Sequence, residues 1–75
     1  MTNETAAERL NRLRERMEIA ADMMDRAERA YIRAESNLEK NDTAANRSRV
    51  ELAAAKCRAA GDRYANAQAA YVNAE

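Results

Sequence analysis

From Leu10 onward, apolar residues return at every third or fourth position: Leu10, Leu13, Met17, Ala20, Met24, Ala27, Tyr31, Ala34 and Leu38. Alternating steps of three and four keep one stripe of an α-helix turned toward a partner helix, so this spacing restricts the chain to helical packing. In heptad letters, position a holds the larger residues (Leu10, Met17, Met24, Tyr31, Leu38) and position d is mostly alanine. The pattern resumes at Val50, Ala53, Cys57, Ala60, Tyr64, Ala67, Tyr71 and Ala74, and in that run every d position is alanine. With no proline and a single glycine, neither run carries a residue that stops a helix.

Between the runs lies LEKNDTAAN, where Asn41 and Asp42 supply turn chemistry and Asp42 is the expected N-cap of a helix beginning near Thr43. At the start, Thr5-Ala-Ala-Glu8 fits a capping box, with Thr2 or Asn3 as earlier alternatives. A single helix running unbroken through the clustered Asn, Asp and Thr is disfavoured by propensity. The sequence therefore predicts an all-α chain, one antiparallel two-helix hairpin over 1–75, with helices at about 4–39 and 43–74 and a turn at about 40–42.

An antiparallel pair demands layers in which facing residue numbers add to a constant. With 84 as the constant, Leu10 faces Ala74, Leu13 Tyr71, Met17 Ala67, Ala20 Tyr64, Met24 Ala60, Ala27 Cys57, Tyr31 Ala53 and Ala34 Val50. Nearly every layer sets a larger side chain against an alanine, the complementarity that close packing requires. Such a core is thin. A chain of 75 residues buries only roughly 60% of the surface that its unfolded form exposes, so dimerisation into a four-helix bundle is expected.

The formal net charge is zero, but charge is not evenly distributed. Positions c and g lie side by side on one flank of each helix. On the first helix that flank is Arg9, Arg12, Arg16, Ile19, Met23, Arg26, Ala30, Arg33 and Asn37; on the second it is Ala45, Arg49, Leu52, Lys56, Ala59, Arg63, Asn66, Ala70 and Asn73. Neither contains a carboxylate. In an antiparallel pair the two flanks merge, giving eight cations around Ile19, Met23 and Leu52. Several acids elsewhere are ordinary i, i+4 partners, such as Asp22 for Arg26 and Asp25 for Arg29. That pairing alone does not clear a whole flank of acid, and exposed apolar residues ringed by charge are an interface signature. The candidate partner-binding residues are thus Arg9, Arg12, Arg16, Ile19, Met23, Arg26, Arg33, Arg49, Leu52, Lys56 and Arg63.

Gly61 falls at position e, opposite Ala21, beside Ala54 and Ala65. Glycine inside a helix costs about 1 kcal/mol relative to alanine, so this strip of small residues reads as a notch for close packing, either of the two helices or of a second hairpin. Ala21, Ala54, Gly61 and Ala65 are the expected dimer edge.

Little here supports chemistry. One cysteine and no histidine leave neither a disulfide nor a zinc set, so no metal or cofactor is expected, and Cys57 reads as a buried apolar filler. The tyrosines all occupy a positions in the seam. Carboxylate pairs such as Glu18 and Asp22 sit on an open helix face with no cleft to perturb them, and an enzyme is not expected. No apolar run approaches the ~20 residues of a membrane span, and the polar N-terminus is unlike a signal peptide, so the expected location is cytoplasmic.

The expected function is a protein-interaction module, a small inhibitor or adaptor that occludes an acidic site on a larger protein, in the style of phage and plasmid accessory proteins, including anti-defence inhibitors. Nucleic-acid binding by the same arginines is the alternative. In its two-helix plan and heptads the chain resembles the Rop family of plasmid copy-number regulators, whose dimeric hairpins bind paired RNA loops. That resemblance implies a dimer and an RNA partner and covers no shared motif, so it assigns no residue a role. Against it stand the zero net charge and the lack of any aromatic on the basic flank to stack bases. A structural coiled-coil component is the third reading.

Overall fold

A computed structural model describes residues 3–75. Two helices, α1 (Ala6–Lys40) and α2 (Ala44–Ala74), pack against each other as a hairpin, and no strand occurs among the described residues. The hairpin measures 55 × 21 × 14 Å. Its radius of gyration, 17.2 Å, is well above the roughly 11 Å of a compact chain of this length, because two layers of helix have no third element to fold back on.

Each helix begins on a threonine. The Thr5 hydroxyl accepts the Glu8 N–H at 3.1 Å, as the capping-box spacing predicts. The Asn3 alternative is not used, and Thr2 lies outside the described residues. At α2 the cap is Thr43, whose hydroxyl accepts the Asn46 N–H at 3.1 Å, so the expectation of an Asp42 cap is corrected by one residue. Asp42 instead accepts a 2.9 Å hydrogen bond from Arg47 Nε on the first turn of α2. Either residue type can cap, and the hydroxyl wins here because the chain turns one residue later than the sequence reading placed it.

The turn is held from inside by Asn46. Its side chain is buried, and its Nδ2 donates to the carbonyls of Asn41 at 2.8 Å and Asn37 at 3.4 Å. These carbonyls already accept the backbone N–H groups of Thr43 and Asn41, at 3.0 Å each, and thus gain a second donor from the first turn of α2. Asn46 Oδ1 in turn accepts from Arg49 Nη1 at 3.1 Å. The residue stands one heptad before Ala53, at a d position that the apolar pattern skips.

The seam follows the heptads. Every apolar a and d residue from Leu10 to Leu38 and from Val50 to Ala74 is buried or half-buried. The most buried are Leu13, Ala20, Ala53, Ala60 and Ala67, all at d. No large side chain is wholly enclosed, since the bulky a residues reach out to one edge of the pair. Cys57 is half-buried among them as a free thiol.

Candidate functional site

The unequal sizes at a and d give the hairpin two unlike faces. In an antiparallel pair, d residues of both helices border the c/g side, while a residues border the e side. Alanine at d therefore leaves shallow space on the c/g side. Three hollows open there. One of about 320 Å³ lies over Ala20 and Ala67, walled by Arg16, Arg63, Ile19 and Met23. A second of about 270 Å³ lies over Ala27 and Ala60, and a third of about 180 Å³ over Ala34 and Ala53, beneath Leu52 and Arg49. They form a groove that narrows toward the turn.

Large apolar side chains stand beside this groove in water. Ile19 is 63% exposed, Leu52 58% and Met23 41%, which places all three outside the seam as their heptad positions require. Ile32 and Val72 are as exposed, at 65% and 56%, and were not singled out by the sequence reading. Both hold b positions on the other side, where their apolar character was the available signal. They stand about 30 Å apart along the axis, one near each end, so they do not form one patch within a hairpin.

The cations of the flank divide into two sets. Arg12 Nε reaches Glu4 at 2.9 Å, and Arg26 reaches Asp22 at 3.0 Å, so these two are partly neutralised. The Arg12 guanidinium holds the Glu4 carboxyl below its ordinary value, chiefly through that hydrogen bond, and Glu4 in turn raises Arg12. Among the described residues, Arg9, Arg16, Arg33, Arg49, Lys56 and Arg63 make no ion pair. Arg16 and Arg63 wall the same hollow with no acid beside them. The ion pairs that do form are all local in sequence, and none joins α1 to α2 among the described residues. The groove therefore combines an apolar floor with cationic walls.

At the opposite edge Ala21, Ala54 and Gly61 are half-buried, and Ala65 is exposed. A Cβ added at Gly61 would meet nothing within 4 Å. This corrects half of the sequence reading, because α1 and α2 do not need the glycine in order to approach each other. The four residues share an edge, and the space above Gly61 is open.

The described residues contain no group of three or more His, Cys, Asp or Glu side chains that could hold a metal ion. No helix among them is long and apolar enough to cross a membrane. No family model, curated protein or solved structure matches the chain.

Proposed function

We propose that this chain is a non-enzymatic interaction module, an inhibitor or adaptor that lays its c/g face over an acidic site of a larger protein and so occludes or bridges it. One observation carries the reading. Exposed Ile19 and Leu52, an alanine-floored groove and cations with no ion-pair partner share a single face whose c and g positions hold no carboxylate, the nearest acids being Glu15, Glu18 and Asp22 on the outer side of Ile19. Covering Ile19 and Leu52 would each contribute about 1–2 kcal/mol through apolar burial, while arginine favours bidentate contact with a partner's carboxylates.

A second copy of the chain is the other proposed partner, docked on the edge of Ala21, Ala54, Gly61 and Ala65 to make a four-helix bundle that leaves the basic faces outward. The surface supports it: the hairpin exposes 5917 Å², against about 4,600 Å² expected for a compact protein of its 8.4 kDa. That excess is larger than the ~800 Å² which one partner contributes to a standard interface.

Capture by the tagged chain tests the first proposal. Ile19→Asp and Leu52→Asp are each expected to release a protein partner, with a gentle dependence on salt. Loss of binding on neutralising Arg12, Arg16, Arg26 and Arg33, together with a steep salt slope, would instead identify nucleic acid. If neither set of changes alters any captured partner, the c/g face is only solvated surface. For the dimer, a monomer by sedimentation at micromolar concentration would refute the bundle.

A further inference from the structure

We infer that the element recognised by the c/g face is a single amphipathic α-helix, with apolar side chains at heptad spacing and carboxylates along both flanks, lying lengthwise in the groove. The inference rests on the proposed role of that face and adds what fits it. The hollows are centred on the alanine pairs Ala20 and Ala67, Ala27 and Ala60, and Ala34 and Ala53. Each pair lies one heptad from the next, about 10 Å along the axis. That interval is the rise between residues i and i+7 of a helix, so a straight helix can drop one apolar side chain into each hollow in turn.

An extended strand matches the hollows less well, since its same-face residues recur at about 7 Å. The walls supply the second requirement. Arg16 and Arg63 both wall the hollow of about 320 Å³, and Arg49 and Lys56 border the one of about 180 Å³, with no acid among the lining residues. The α2 wall carries Arg63, Lys56 and Arg49 along all three hollows and the α1 wall carries Arg16 at the first, so the incoming helix would meet a row of cations on one flank and a single one on the other. The narrowing from about 320 to about 180 Å³ sets the largest apolar side chain at the end far from the turn. The result is a three-helix bundle completed in trans.

The test uses the full chain and three synthetic probes. The first is a 21-residue peptide of three heptads, with leucine at a and d and glutamate at e and g. The second has the same composition with the leucines scrambled, and the third is polyglutamate of the same length. Saturable binding of the first alone, at one peptide per hairpin, is expected. Ala59 is exposed beside the middle hollow. Ala59→Glu should weaken that binding about tenfold or more by like-charge repulsion, whereas Ala59→Lys, of similar bulk, should retain it. Equal loss in both variants would mean that the peptide is not held through charge in the groove, and would overturn the inference. Equal binding of all three probes would overturn it too, while leaving the face as a general acid-binding surface. Binding of none would remove the helix as the ligand, with the face then judged by the Ile19→Asp and Leu52→Asp captures. Self-association abolished by Ala59→Glu would identify a second copy as the occupant and refute the proposal.

Discussion

Replacing Gly61 with alanine should stabilise the hairpin by about 1 kcal/mol. The backbone there is helical with no positive φ, and the residue lies well inside α2 (Ala44–Ala74), so no fraying discounts the propensity gain. The added Cβ meets nothing within 4 Å, which removes both a clash and any new packing from the estimate. What remains is the lower entropy that alanine brings to the unfolded chain. For a chain of this size the gain corresponds to a rise in Tm of about 4–8 °C. Far-UV circular dichroism of thermal or urea melts at low micromolar concentration measures it. A neutral or destabilising outcome at that concentration would refute the reasoning, because it would mean that α1 occupies the space above Gly61. The concentration dependence carries separate information. If a second hairpin uses this edge, the two methyl groups that a dimer gains enter its interface, and the advantage should shrink or reverse as the protein is concentrated.

Asn46→Ala removes the second donor to the carbonyls of Asn37 and Asn41, which keep their backbone partners, and should cost about 0.5–1.5 kcal/mol in the same melts, with earlier hydrogen exchange at the end of α1. Arg63→Glu puts an acid on the hollow that Arg16 also walls; it should raise hairpin stability by about 0.3–0.5 kcal/mol in low salt while weakening capture of the partner. A carboxyl held below its ordinary value favours the fold above the unfolded pKa and loses that contribution as pH falls through the folded one. The Glu4 carboxyl should accordingly titrate at lower pH in the native chain than in Arg12→Ala, as read by NMR, with the first turn of α1 loosening only in that acid range.

The heptads were sufficient to find the seam, because burial of a two-helix pair depends on periodicity, and every apolar residue at a and d from Leu10 to Ala74 is buried or half-buried while Ile19, Ile32, Leu52 and Val72, off that period, are exposed. Thr5 was legible for a similar reason: a capping box is a local pattern. The α2 cap was not, since Asp42 and Thr43 are adjacent and both competent, and only the geometry of the turn decides between them. Asn46 was missed because a polar residue at d looks like the end of the apolar pattern. Its role needs the carbonyls of Asn37 and Asn41, which the turn brings to it from the other helix. Gly61 marked an edge that the hairpin itself does not fill. A glycine is conspicuous in a sequence, yet the space it leaves in the hairpin is open rather than filled, while the deeper hollows lie over alanines that look unremarkable one at a time.

Those alanines link the fold to its proposed use. Small residues at d allow a close approach of the two helices, but with Leu13 the one large residue at d they leave the d side of the seam shallow, while the a positions hold most of the seam's bulk. The same side also lacks interhelical ion pairs. Positions g of the two helices border that side, and this chain fills them with Arg9, Arg16, Met23, Ala30 and Asn37 in α1 and Arg49, Lys56, Arg63 and Ala70 in α2, where acids in either helix would have added on the order of 0.3 kcal/mol each. The hairpin thus forgoes both packing and charge pairing on one face, in a molecule too small to hold stability in reserve. Both deficits can be relieved by one kind of occupant, an apolar ridge with acids on its flanks. Of the cations that make no ion pair among the described residues, Arg16, Arg49, Lys56 and Arg63 line those hollows, and the proposal that this face is the working surface rests on that coincidence.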